Sequence, residues 1–205
     1  CGIGLFLKEI TKRDVMGYAI DLSMEAVLRA RLNVSRFDFM IQKRDFWQLT
    51  EKYQWLFCFE LLEHLPDPVA ALKKFHDLLF SNGVLVISVP AHKEYWTKAD
   101  ESSGHLRRYD EHQLVGEIEE AGFKIERIKC YGCPWLVMIH YLTKWLDRNK
   151  EQCSDPFPGG PAGYTRYMLL PKWVRFIVRF FLYPLYLLST GNDRGTGYVV
   201  RCRRV

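Results

Sequence analysis

The sequence predicts an α/β fold, a doubly wound and mostly parallel sheet with an antiparallel last strand. Three observations predict it. Short apolar runs at residues 15–20, 37–42, 54–59, 84–89 and 124–130 alternate with stretches of helical period, and such βαβα alternation specifies parallel strands joined by crossover helices. A glycine-rich turn, Cys1-Gly2-Ile3-Gly4, opens the chain, and an acid, Asp21, closes the first strand-like run. Glycines let backbone N–H groups approach a ligand, and an acid ending the next strand, about 20 residues on, suits ribose hydroxyls.

The elements follow in order. Residues 5–13 read as a short helix after the turn, and 15–20 as a buried strand. Ser23 is placed to cap the next helix, with Glu25 in its first turn and Val27, Leu28 and Leu32 on one face. Residues 37–42 form a second strand, followed by Asp45 and Phe46, and 54–59 form a third that is dense in aromatics. Asp67-Pro68 starts a helix with a cap and a proline at the first helical position. Its Leu72, Phe75 and Leu79 share the face turned to the sheet. Residues 81–83 stop it, 84–89 form a strand, and Pro90 ends that strand. Residues 91–109 are polar and aromatic without periodicity and read as a loop over a site. Asp110 caps a further helix, with Gln113 at the capping-box position and Gly122 at its end. Residues 124–130 and 197–203 supply the last two strands.

At 205 residues the chain has the size of one ordinary domain. Its six cysteines are scattered, which speaks for reduced thiols and a cytoplasmic protein rather than a disulfide framework. Cys130-Tyr131-Gly132-Cys133 has metal or redox spacing, but no second pair accompanies it, and a structural zinc site takes four ligands. The net charge of +5 is uneven: residues 172–205 hold seven bases and one acid. That asymmetry points to a local anionic partner and away from a nucleic-acid track. Residues 134–190 read as a helical, amphipathic insertion before the last strand. Within it Lys172, Arg175 and Arg179 fall on one helical face among aromatics. The uncharged run 180–192 contains Pro184 and falls short of the ~20 residues that span a bilayer. Two readings stand for 167–190: a helix lying on a membrane surface, or a lid whose bases face water.

The glycine turn and Asp21 are followed by Cys58-Phe59-Glu60-Leu61-Leu62-Glu63-His64-Leu65-Pro66-Asp67-Pro68, and then by Ser81-Asn82-Gly83-Val84-Leu85-Val86-Ile87-Ser88-Val89-Pro90. In the order and spacing of these four blocks the chain resembles a class I S-adenosylmethionine (SAM) dependent methyltransferase of the type 11/23 kind, over residues 1–131 and the last strand. The resemblance implies a Rossmann-like sheet of order 3-2-1-4-5-7-6. It also implies that the family's first strand precedes the glycine turn, so that relative to the family the chain is N-terminally truncated. SAM is then the cofactor. Gly2, Ile3 and Gly4 face its methionine part, Asp21 its ribose, and Leu22 its adenine ring. Asp45 faces the adenine amine with Phe46 beside it, and Cys58, Phe59 and Glu60 lie nearest the methyl. Asp21 also reads as a helix cap and Asp45 as a turn residue.

Glu60-x-x-Glu63-His64 is similar to the ubiquinone-pathway O-methyltransferases, in which this spacing carries magnesium. Glu60, Glu63 and His64 can hold a divalent ion, His64 can act as general base, or the run is structural. His105-Leu106-Arg107-Arg108-Tyr109 matches a run that precedes the same helix in many relatives. His105 is the second catalytic candidate. Arg107 and Arg108 either grip an anionic acceptor bidentately or brace the loop, and Tyr95, Trp96 and Tyr109 help wall an acceptor pocket.

The expectation is a single domain over 1–205, with 134–190 as a lid within it. It transfers a methyl group to a small, lipophilic or lipid-like acceptor, in the cytoplasm or peripherally on the inner membrane face through 167–190, with no nucleic-acid partner. The alternative is a catalytically silent binding or adaptor domain of the same fold. A nicotinamide oxidoreductase would share the glycine turn and Asp21, but the Ser/Tyr-x-x-x-Lys constellation is missing.

Overall fold

The computed structural model describes residues 1–13, 15–34, 39–132 and 194–205. The expected insertion at 134–190, with its basic stretch 167–190, lies outside the described residues. The chain divides into two compact units, Cys1–Glu51 and Lys52–Val205, each taken here by itself.

The first unit runs through α1 (Leu5–Ile10), β1 (Gly17–Asp21), α2 (Met24–Asn33) and β2 (Phe39–Lys43). β1 and β2 are parallel, with Gly17 opposite Phe39 and Asp21 opposite Lys43. Their inward positions Ala19 and Ile41 join Leu7, Val27, Ala30 and Val34 in a buried core, as the period of two in strands and the i, i+3, i+7 stripe of a helix require. Ser23 caps α2 as expected, its Oγ accepting from the Ala26 N–H at 3.3 Å. The buried stripe of α2 differs from expectation: Val27 and Ala30 are buried, whereas Leu28 and Leu32 are 52% and 85% exposed. The cause is the glycine turn. A Cβ on Gly4 would lie 2.9 Å from the Ala30 Cα, so α2 presents its smallest residue to the turn and rotates the leucines away. Val15 and Met16 fall outside the ladder and are exposed.

The second unit holds β3 (Tyr53–Phe59), α3 (Pro68–Leu78), β4 (Leu79–Pro90), α4 (Lys98–Ser102), α5 (Glu111–Glu120), β5 (Phe123–Tyr131) and β6 (Gly197–Arg204). Its sheet has the order β3-β4-β6-β5. β3 and β4 are parallel, and β6 runs antiparallel to both its neighbours. This is the 4-5-7-6 half of the expected order, reversed last strand included. α3 and α5 pack on each other and against β4 and β5 respectively, burying Leu72, Phe75, Leu114 and Ile118. Among the described residues no helix is long and apolar enough to cross a membrane.

Three local expectations change. Residues 81–83 do not simply end a helix, because α3 stops at Leu78 and the strand begins at once. The register passes from Tyr53 opposite Leu79 to Trp55 opposite Val84, so residues 80–83 are looped out as a bulge. Asn82 takes a φ of 62° there. Residues 91–109 are not a featureless loop, since they carry α4 and pair at Ala91 with Tyr109. Asp110 does begin α5, but its side chain makes no cap bond. It meets Lys93 Nζ at 2.9 Å, and Gln113 donates to Glu117 at 2.8 Å instead of closing a box.

Candidate active site

In the first unit the glycine turn and Asp21 are tied together. Gly2 and Gly4 have φ values of 53° and 80°, in the left-handed region that glycine enters without steric cost. A Cβ on Gly2 would meet nothing within 4 Å, so the turn is open on that side. Asp21 Oδ2 accepts from the Gly2 N–H at 2.8 Å and the Cys1 nitrogen at 2.9 Å, and Oδ1 accepts from the Ser23 N–H at 2.9 Å. Partial burial raises the carboxyl's pKa, and the hydrogen bonds from the Ser23 and Gly2 N–H groups lower it. A carboxylate offers about four acceptor sites. Three are in use, which leaves room for one ribose hydroxyl. Leu22 is 64% exposed, an apolar surface fit to meet a purine. Ile3 is half-buried, its carbonyl accepting from Asn33 Nδ2 at 2.9 Å. Asp45 caps a short 3-10 turn, Oδ1 accepting from the Trp47 N–H at 3.1 Å, and Phe46 packs on Trp47 with ring centroids 4.6 Å apart.

In the second unit the residues following β3 and β4 converge. Cys58 is buried, and burial followed by the neighbouring Glu63 charge pushes its thiol up. Phe59 is partly exposed. Glu60 takes a φ of 48° immediately after β3. Its N–H donates to the Ser88 carbonyl at 3.0 Å, while its Oε1 accepts from Ser88 Oγ at 2.7 Å and from the Tyr131 hydroxyl at 3.5 Å. Glu60 therefore knits together the carboxyl ends of β3, β4 and β5, the edge at which open α/β sheets bind ligands.

Glu63 is fully buried, and neither carboxylate oxygen has a hydrogen-bond partner. Burial, followed by the charge of Glu60, pushes its pKa up to about 8. His64 Nδ1 lies 3.2 Å from the Gly104 carbonyl, and its Nε2 lies 3.9 Å from Glu63 Oε1. Burial lowers its pKa. His105 meets it edge-on, with ring centroids 4.7 Å apart, and His105 Nδ1 lies 3.0 Å from Asp100 Oδ1. The motif thus brought His64 and His105 together, but it did not bring Glu60 with them. The expected ion ligands Glu60, Glu63 and His64 do not fit as a set, because Glu60 is turned to Ser88. His105 takes its place beside Glu63 and His64.

Of the expected acceptor contacts, Arg108 braces the loop: its Nε donates to Asp100 at 2.9 Å and its NH1 to the Ala91 carbonyl at 3.1 Å. Arg107 donates to the Pro66 carbonyl at 3.0 Å. Tyr95 is buried, its hydroxyl donating to the Arg194 carbonyl at 3.4 Å, and Trp96 Nε1 donates to Glu101 at 3.2 Å. Tyr109 is fully buried, and burial followed by the Glu117 charge raises its phenol's pKa. It is a core residue rather than a pocket wall. Asp100 is the residue that sequence reasoning missed. The Thr97-x-x-Asp100 spacing, a helix-start signature, was the available signal.

The methyltransferase domain family matches residues 1–128. A ubiquinone biosynthesis O-methyltransferase of Histophilus somni is 30% identical over 101 residues, 43% of this chain and 41% of the relative's length. Among solved structures, the cyclase SpnF aligns over 100% of this chain and 72% of its own at 16% identity, with a TM-score of 0.62. The magnesium protoporphyrin IX methyltransferase of Synechocystis PCC 6803, with bound S-adenosylhomocysteine, aligns over 100% of this chain and 71% of its own at 14% identity, with a TM-score of 0.58. At such identities the structural likeness speaks for the fold alone. The family match covers well over half of the chain, and on it the chain belongs to the methyltransferase domain family, in the class I, S-adenosylmethionine-dependent group.

Proposed function

We propose that the protein transfers a methyl group from S-adenosylmethionine to a hydroxyl of a small, lipophilic acceptor. The cofactor supplies an electrophilic methyl on a sulfonium. The chain's residues must position the acceptor and take its proton as the carbon–oxygen bond forms and the carbon–sulfur bond breaks. The observation that carries this reading is the imidazole pair in the loops after β3 and β4. Each ring turns Nδ1 toward an oxygen, Gly104 O for His64 and Asp100 Oδ1 for His105, and a hydrogen bond there requires the proton on Nδ1. That leaves both Nε2 atoms as lone-pair acceptors. On this reading Gly2, Ile3, Gly4, Asp21, Leu22, Asp45 and Phe46, together with Cys58, Phe59 and Glu60, bind the cofactor. The single domain over 1–205, the cytoplasmic location and the peripheral membrane contact through 167–190 belong to the same proposal.

The test is product analysis after incubating the protein with methyl-labelled SAM and cell lipids, beside calorimetry with S-adenosylhomocysteine. Labelled lipid product is expected, and changing His64 or His105 to Ala should lower kcat about a hundredfold or more while S-adenosylhomocysteine still binds. A second reading is cofactor binding without methyl transfer, since a structural neighbour of this fold is a cyclase and the fold is therefore not tied to that reaction. Cofactor binding with no label in any product would select it.

A further inference from the structure

We propose that Glu63, His64 and His105 bind one divalent ion of the zinc and cobalt class, in preference to magnesium. One ligand atom from each of the three lies within 4.8 Å of the other two. Two further observations point to a cation there. The Glu63 carboxylate is fully buried with both oxygens unpartnered, and a buried acceptor left so is destabilising, the more when charged. One of these oxygens, Oε1, lies 3.9 Å from His64 Nε2. In addition, each imidazole is already held from behind, His64 by the Gly104 carbonyl at 3.2 Å and His105 by Asp100 Oδ1 at 3.0 Å. Asp100 is in turn fixed by Arg108 Nε at 2.9 Å and by the Thr97 N–H at 2.8 Å. Metal-binding histidines present this arrangement, in which an outer oxygen sets the tautomer and aims the other nitrogen at the ion.

Donor chemistry selects the class of ion. Two imidazoles and one carboxylate suit zinc and its neighbours, whereas magnesium takes oxygen ligands in near-octahedral geometry. Removing Glu60 from the set and adding His105 exchanges an oxygen for a nitrogen, which moves the preference away from magnesium. A tetrahedral ion with bonds of about 2.0–2.1 Å holds its ligand atoms about 3.4 Å apart, so side-chain rotation must draw in atoms that now lie up to 4.8 Å apart, the Glu63–His64 pair standing at 3.9 Å. Three protein ligands leave one position open, at which a bound ion would lower the pKa of an acceptor hydroxyl, so that in the loaded protein the ion takes over the activating role of the two imidazoles whose lone pairs it occupies. Only that last consequence rests on the methyltransferase reading.

The experiment is a cobalt(II) titration of metal-stripped protein, followed by visible absorption, with no cofactor or acceptor present. One equivalent should give the d–d bands of a four-coordinate nitrogen and oxygen site. Zinc should displace them, and millimolar magnesium should not. Glu63→Gln and His105→Gln should each weaken cobalt binding about tenfold or more, and Asp100→Asn about 10–100-fold, with folding checked by circular dichroism. Glu60→Gln should bind as the parent does. Absence of bands overturns the proposal, and so do bands unchanged in the Glu63 and His105 variants, competition by magnesium, or loss on Glu60→Gln alone. Should the variants fail to fold, zinc must still displace cobalt from the parent at a one-to-one ratio, and failure there is equally fatal. Label transfer that survives a chelator in a protein that binds no cobalt would remove the ion and leave the enzyme.

Discussion

Asp100 is only 3% exposed, yet it is an acid with no place in an apolar interior unless donors surround it. Four do: the Thr97 N–H at 2.8 Å, Thr97 Oγ1 at 2.9 Å, Arg108 Nε at 2.9 Å and His105 Nδ1 at 3.0 Å. Burial alone would push its pKa up, but the bonds from His105 and Arg108 hold the carboxyl well below the usual range. Removing the acid leaves a partly buried guanidinium and an imidazole without their common acceptor. Breaking a buried pair from one side costs about 3–5 kcal/mol. Asp100→Ala should therefore lose about that much in urea unfolding, whereas Arg107→Ala, which gives up one exposed bond to Pro66, should lose about 1 kcal/mol or less. Equal losses would show that Asp100 is not the keystone of the loop. The residue scale is also where legibility in the sequence was poorest. His64 and His105 are named by motif, but that their rings lie edge-on is fixed by Asp100, Gly104 and Arg108. Sequence alone gives each of those an equally good surface role.

At the scale of elements, local chemistry was mostly sufficient. Ser23 and Asp67 cap their helices through bonds of 3.3 and 2.9 Å, and Gly122 follows α5 with a φ of 89°, the left-handed stop that glycine allows. Local chemistry failed where two helix starts competed for the same signature. Thr97 and Asp100 close a box, whereas Asp110 and Gln113 do not, because Lys93 and Glu117 claim their side chains first. The bulge at 80–83 was legible as a turn but not as part of a strand, since only the pairing of β3 with β4 shows that the ladder resumes. β5 and β6 carry a cross-strand device of their own. Glu126 receives Arg201 Nε at 2.7 Å and also Arg203 Nε. The hydrogen bond from Arg203 is the chief cause holding the carboxyl below its usual range. A carboxylate whose folded pKa is depressed adds stability above its unfolded pKa, near 4.3, and loses it as pH falls through the folded value. Glu126→Gln should thus melt below the parent at pH 7, and the gap should narrow and close as acid protonates the folded carboxylate. A gap that persists in acid would assign it to packing rather than charge.

Across the whole molecule, the fold decides where positive charge remains available. The C-terminal stretch 172–205 holds seven bases and one acid, which by itself suggests a broad cationic surface. The fold withdraws part of that excess. Arg201 and Arg203 answer Glu126, Arg203 also donates to the Asn82 carbonyl at 2.8 Å, and Arg204 donates to the Leu79 carbonyl. These arginines serve the sheet. The proposed membrane contact rests instead on Lys172, Arg175 and Arg179, which the sequence sets three and four apart among aromatics. If they carry the proposed membrane contact, sedimentation with vesicles containing phosphatidylserine should bring the protein down at low salt. Raising salt from about 0.01 to 0.15 M, which shortens the screening length from about 30 to 8 Å, should release most of it. Charge reversal at 172, 175 and 179 should abolish the association, since each base near such a surface contributes about 1 kcal/mol. Arg201→Gln should leave it unchanged, because that charge is already matched within the sheet. Binding that resists salt and the triple reversal would make the contact apolar, and binding lost on Arg201→Gln would return the arginines of β6 to the surface.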